Sequence, residues 1–127
     1  MSLSVELIPQ EQHKAVLHEI LKKKLHLQYG CAEPTFKSLI NGTNYFALKG
    51  LCVAKGKRLC GWAVIIDKGL STELWAYVDT GYRKRGIGSQ LVKAVASTVD
   101  KITTFGVDLS DSKKNFWAKQ DIYWEPR

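Results

Sequence analysis

Cysteine is scarce in this chain, and the little there is excludes two kinds of protein. Cys31, Cys52 and Cys60 are odd in number and contain no CxxC pair, which argues against both a disulfide framework and a zinc site. His13, His18 and His26 also lack the i,i+4 spacing of a helical metal pair, so no metal site is expected. No apolar run approaches the ~18 residues of a membrane span. Glu6, Pro9 and Glu11 interrupt any signal-peptide core near the N-terminus. A soluble cytoplasmic protein without a membrane partner is therefore expected. Acidic residues are outnumbered, 12 against 19 basic ones, for a formal net charge of +7. That excess favours anionic partners but does not choose among them. The run Lys22–Lys24 reads as a solvated helix face.

What is present fits one domain over 1–127, long enough to bury a core without covalent staples. Alternation of Leu3, Val5 and Leu7 with Ser2, Ser4 and Glu6 predicts a half-buried strand over Leu3–Ile8. Pro9 ends it and suits the start of a helix. Val16, Leu17, Ile20, Leu21, Leu25 and Leu27 recur at helical spacing, which predicts a helix from Gln10 to Gln28 closed by Tyr29-Gly30. A short helix is expected over Thr35–Ile40. Strands Leu48–Ala54 and Arg58–Ile66 would form a hairpin about Gly56, setting Cys52 opposite Cys60 as two reduced thiols. Another strand, Glu73–Asp79, follows a turn at Gly69. Then come a helix over Ser89–Val99, a strand over Ile102–Asp108, a helix over Ser112–Lys119 and an extended piece over Ile122–Trp124. The order describes an α/β domain with a mixed sheet.

The chemistry is concentrated where strand Glu73–Asp79 runs into Gly81-Tyr-Arg-Lys-Arg-Gly-Ile-Gly88 and then a helix. Such a junction suits a phosphate, because a helix N-terminus presents unpaired N–H groups and the positive end of its dipole. Gly86 and Gly88 let the backbone approach an oxyanion closely. Arg83, Lys84 and Arg85 add charge, and Ser89 adds a hydroxyl. A P-loop is excluded because Ile87-Gly88 stands where Lys-Ser/Thr is required. A dinucleotide fingerprint is excluded because Leu91 holds the third glycine position. The string Arg83-Lys84-Arg85-Gly86-Ile87-Gly88 is instead a direct match to R-x-x-G-x-G.

That string, within Tyr77–Leu91, resembles the coenzyme A pyrophosphate loop of the GNAT superfamily of N-acetyltransferases. Val53–Trp62 looks like that family's second and third strands, and Phe116–Ile122 is similar to its final helix and strand. The resemblance implies a GNAT-like α/β (α+β) fold with a mixed, mostly antiparallel sheet whose C-terminal strand is short or missing. It implies acetyl-CoA as co-substrate and an amine, on a small molecule, a protein lysine or an N-terminus, as acceptor. The backbone from Val78 to Thr80 would part from its neighbour and bond the pantetheine arm, with Tyr77 and Asp79 in the same stretch. Arg83, Lys84, Arg85, Gly86, Ile87, Gly88 and Ser89 would hold the pyrophosphate.

For catalysis the resemblance points to Glu73 as general base, directly or through a water; Asp79 and Asp108 are weaker candidates. The position where relatives carry an acidic tyrosine falls on Trp117, whose indole packs against cofactor but supplies no proton. Tyr123, nearby on the following strand, is the remaining candidate acid. Two other readings stay open. One is a catalytically inactive CoA-binding or protein-binding module of the same fold. The other is a basic nucleic-acid binder, disfavoured because the aromatics are not interleaved with the basic clusters. A monomer or homodimer is expected.

Overall fold

The computed structural model describes residues 4–25, 32–42, 46–69, 71–79, 86–99, 102 and 104–105. Strand β1 (Ser4–Leu7) is followed by a turn of 3-10 helix at Gln10–Gln12, then α1 (His13–Lys22) and α2 (Ala32–Asn41). Three strands come next, β2 (Ala47–Lys55), β3 (Leu59–Asp67) and β4 (Thr72–Val78), then α3 (Ile87–Ala96) and β5 (Thr104–Phe105). The sheet order is β1-β2-β3-β4-β5. Every neighbouring pair is antiparallel except β4 and β5, which run parallel. This is the mixed, mostly antiparallel α/β sheet that the sequence predicts. No helix among the described residues is long and apolar enough to cross a membrane.

The two faces of the sheet are built from different materials. Under α1 and α2 lie large side chains: Trp62, Trp75, Tyr77, Val64 and Ile66 pack on Leu17, Ile20 and Phe36. Their rings interlock, with Phe36 edge-on to Trp62 at 5.2 Å and Trp62 stacked on Tyr77 at 6.1 Å. Trp62 also donates its indole N–H to the Leu25 carbonyl at 3.2 Å, which ties the end of α1 to the sheet. Under α3 small residues predominate: Cys52, Ala54, Ala63 and Ala76, with the larger Ile65 and Leu74, meet Ile87, Leu91, Val92 and Val95. Small residues let this helix sit close. Two glycines mark close approaches: an added Cβ would lie 2.5 Å from Thr98 Oγ1 and 3.0 Å from Val95 Cγ2 at Gly50, and 2.9 Å from the Tyr77 carbonyl oxygen and 3.2 Å from Leu91 Cδ1 at Gly61. Because β3 is covered on both faces, it reads as a continuous apolar run rather than an alternating one.

Several boundaries differ from those expected. The first helix stops at Lys22 rather than Gln28. Lys24 adopts a left-handed conformation (φ 58°), while its N–H reaches the Leu21 carbonyl and that of Leu25 the Ile20 carbonyl. That pair of bonds is a Schellman stop, here built without glycine. The second helix begins at Ala32, not Thr35, so Pro34 lies in its first turn, where a missing N–H costs no helical bond. In the hairpin, Cys52 faces Ala63, while Cys60 is the extra residue of a bulge between Ala54 and Lys55. The expected pairing of Cys52 with Cys60 is therefore displaced; both thiols are free and buried. Strand β1 lies at the sheet edge, and Leu7, expected on its buried face, is 51% exposed. The expected parting of β4 from its neighbour beyond Val78, and the elements expected after Phe105, lie outside the described residues.

Candidate active site

Helix α3 starts on Gly86, which adopts φ 75° and ψ 5° and, lacking a side chain, offers no cap to the first turn. The first helical bond runs from Gln90 N–H to the Gly86 carbonyl at 3.2 Å. The N–H groups of Ile87 and Gly88 therefore precede the intrahelical ladder. Ile87 buries its side chain beneath the helix, at 5% exposure, leaving only its main chain to meet a ligand. Gly86 and Ser89 are exposed. Among the described residues, no atom beyond its chain neighbours and the helix's own backbone lies within 4 Å of where a Gly86 Cβ would sit. A glycine-headed helix start of this kind is where a phosphate can approach main-chain N–H groups.

Strand β4 is the element that precedes this helix in the chain. Asp79 N–H bonds the Cys60 carbonyl at 2.7 Å, so its peptide faces β3. Strand peptides alternate in direction, so the peptides of Val78, Ala76 and Leu74 face the edge where β5 pairs. Gly61 stands opposite Val78 in the register and sets how near β3 can come. Tyr77 turns its ring the other way, onto Trp62, and its hydroxyl approaches Asp79 Oδ1 at 3.4 Å. Asp79 also pairs with Arg58 at 3.4 Å.

Glu73 sits at the opposite end of β4, on the α1–α2 side with Trp75 and Tyr77. It lies six positions before Asp79, roughly 20 Å along a strand. Its carboxylate is densely partnered: Lys68 Nζ lies 3.2 Å from Oε1, the Trp75 indole N–H donates to Oε1 at 3.0 Å, and Ser71 Oγ is 3.4 Å from Oε2. Lys68 in turn lies over the Phe46 ring at 4.9 Å and the Trp75 ring at 5.3 Å. Sequence reasoning singled out Glu73 but missed Lys68. The signal was available in Lys68-Gly69, where a turn returns the chain so that its lysine faces the start of the next strand.

Burial works against nucleophilic character in the two described thiols. Burial pushes the Cys52 thiol from 9.0 up to about 12, against the lowering effect of backbone bonds. Cys60 is raised as well, by burial first and then by the Asp79 charge, with Arg58 opposing. Among the described residues, no group of three or more His, Cys, Asp or Glu side chains could hold a metal ion. A groove of about 490 Å³ between α1 and α2, lined by His18, Leu21, Lys22, Glu33, Lys37, Ile40 and Asn41, involves none of the residues above. Of the expected site, Glu73, Tyr77, Val78, Asp79, Gly86, Ile87, Gly88 and Ser89 are placed along β4 and at the start of α3. Thr80, Arg83, Lys84, Arg85, Asp108, Trp117 and Tyr123 lie outside the described residues.

The described residues thus set a strand before a glycine-headed helix in an otherwise antiparallel sheet with helices on both faces, and the family comparison gives this arrangement its class, that of the CoA-dependent acetyltransferases. The matching family model is that of the acetyltransferase (GNAT) family, over residues 14–109, and the chain belongs to that family. No curated protein sequence matches the chain. Among solved structures, it is similar to a ribosomal-protein-alanine N-acetyltransferase from Brucella melitensis biovar Abortus 2308. That match has 12% identity and a TM-score of 0.57, over 100% of this chain and 97% of the other. It is also similar to an aminoglycoside N-acetyltransferase in complex with CoA, at 16% identity and TM-score 0.52, over 99% and 95% of the two chains. A third is an aminoglycoside acetyltransferase from an uncultured soil metagenomic sample in complex with sisomicin. It has 18% identity and TM-score 0.50, over 98% and 91%. At such identities these structures speak for the fold alone.

Proposed function

We propose that this chain, working as one domain over 1–127, transfers an acetyl group from acetyl-CoA to a primary amine, with Glu73 as the proton acceptor. The observation that carries the reading is the layout of β4. Its C-terminal end precedes the glycine-headed N-terminus of α3, and its N-terminal end carries a half-buried carboxylate on the opposite face. Ile87, Gly88 and Ser89, with Arg83, Lys84 and Arg85 before them, hold the pyrophosphate. The pantetheine arm runs along the β5-facing peptides from Thr80 and Val78 toward Glu73. Trp117 packs against the cofactor in this scheme, and Tyr123 is the candidate proton donor to the leaving sulfur.

The acceptor arrives from the α1–α2 side as an ammonium and must lose a proton before its nitrogen can attack the thioester carbon. A C–N bond forms, the C–S bond breaks, and the sulfur leaves as a thiolate that takes up one proton; the other goes by way of Glu73 to solvent. A β5-facing N–H of β4 supports the oxyanion, a contribution of ~3 kcal/mol in comparable sites. Burial of Cys52 and Cys60, the two cysteines among the described residues, favours direct attack on the thioester over acylation of either of them. The solved relatives are named for acetylating aminoglycosides and ribosomal-protein alanine, and both kinds of acceptor carry amines.

The test is thiol release from acetyl-CoA in the presence of a panel of amines, comparing wild type with Glu73→Gln. Turnover in the variant should fall by roughly 10²-fold, the low end for a general base, with CoA affinity retained. Unchanged turnover at neutral pH removes Glu73 from the mechanism. Tight CoA binding with no acetylation of any amine identifies an inactive CoA-binding module instead.

A further inference from the structure

The ammonium of Lys68 is held in an unusual way for a surface lysine. It lies 4.9 Å from the Phe46 ring centroid, 5.3 Å from that of Trp75 and 3.2 Å from Glu73 Oε1. The side chains of the pair are only 24% and 15% exposed. Two aromatic faces and one carboxylate are the means by which proteins recognise alkylammonium ligands. Here the cation is the chain's own, carried on the turn that joins β3 to β4.

The walls of this cage do not depend on the lysine. Trp75 and Ser71 hold the two carboxylate oxygens at 3.0 and 3.4 Å. The turn is fixed through its backbone, by Lys68 N–H to the Ser71 carbonyl at 2.8 Å and Gly69 N–H to Asp67 Oδ1 at 2.8 Å. The lysine side chain can therefore swing out and leave a formed, negatively charged pocket behind. Resting on the acetyl-transfer reading, we propose that this cage seats the acceptor's ammonium and that Lys68 is its tethered occupant, displaced when the acceptor binds. The occupant indicates the ligand class, a primary ammonium at the end of an unbranched alkyl chain. An acceptor seated there places its nitrogen against the carboxylate already assigned to take its proton.

The displaced lysine competes at a high effective concentration, on the order of millimolar or more for so short a tether. Removing it should therefore strengthen binding of a simple ammonium. The experiment titrates n-butylammonium chloride, with sodium chloride as the ionic-strength control. The readout is the Trp75 indole N–H resonance, assigned with Trp75→Phe. Lys68→Ala should give a saturable shift at roughly tenfold lower concentration than wild type, the gain expected from removing a tethered competitor. Lys68→Ala combined with Glu73→Gln should lose it. Lys68→Ser serves the same purpose should the alanine variant fail to fold. Equal affinity in wild type and Lys68 variants, or no saturable shift in folded variants, overturns the proposal and leaves the lysine as a structural ion pair. CoA binding is measured on the same samples. CoA binding without ammonium binding defeats the cage alone; ammonium binding without CoA binding defeats the acetyl-transfer reading and leaves the cage.

Discussion

Gly61→Ala tests whether β4 is held in position for its ligand by a missing side chain on β3. The new Cβ would lie 2.9 Å from the Tyr77 carbonyl oxygen, 3.2 Å from Leu91 Cδ1 and 3.5 Å from Val78 Cα. The Leu91 contact can be relieved by a rotamer change. The other two are backbone atoms, so β3 and β4 must part, and they part at Tyr77–Val78. Overpacking of this kind costs about 1–3 kcal/mol. For a domain of this size that corresponds to a fall in Tm of order 5–10 °C. Thermal unfolding and calorimetric titration with CoA on one preparation give both numbers. Tm should fall by that amount and CoA affinity should fall with it, because the displaced peptides are those assigned to the pantetheine arm. Val16→Ala, on the α1 side of the core, serves as the control: it should lower Tm while leaving CoA affinity intact. A wild-type Tm in Gly61→Ala refutes the packing argument. A lowered Tm with wild-type CoA affinity breaks the link between β4 and the ligand.

Gly86 separates backbone strain from charge. Gly86→Ala meets no steric obstacle among the described residues but must hold φ 75°, so it should cost about 1–2 kcal/mol of stability, read by denaturant unfolding. Gly86→Asp carries similar strain and adds a carboxylate where the pyrophosphate would sit, so its CoA affinity should fall well below that of the alanine variant. Equal affinities in the two variants would remove the phosphate from that position. Cys52 should contribute an alkaline limit. Its folded thiol is raised to about 12, so stability is complete below its unfolded value near 9 and is lost as pH rises between the two. The loss is of order 4 kcal/mol at full ionisation. Cys52→Ala should flatten the fall in Tm over that range relative to wild type, and parallel curves would contradict it. In native protein, Cys52 should also resist iodoacetamide at pH 8 until the chain is unfolded.

Much of this was legible in the sequence because the relevant signals are local. Period-two alternation identified β1, and the helical stripe of Leu91, Val92 and Val95 identified the buried face of α3. The R-x-x-G-x-G string placed a glycine at the start of α3, where the backbone takes φ 75°. What was missed depends on chain segments meeting in space. A bulge at Cys60 moves the hairpin register, and nothing in Leu59–Ile66 announces which residue will be skipped. Lys24 ends α1 in a conformation usually given to glycine, because Leu25 is drawn into the core and bonded by Trp62. The cage around Lys68 needs Phe46, from before β2, to meet Trp75 on β4, and no spacing rule links those two. Gly61 reads as an ordinary strand glycine until the Tyr77 carbonyl is seen beside it.

The central claim is that the start of α3 receives the pyrophosphate of CoA. A titration of CoA followed on the backbone amides tests it most directly, with pantetheine, which lacks the pyrophosphate, as comparison. The account predicts saturable shifts at Ile87, Gly88 and Ser89 with CoA and none at those amides with pantetheine. Shifts confined to other parts of the chain, or identical shifts with both ligands, would contradict it.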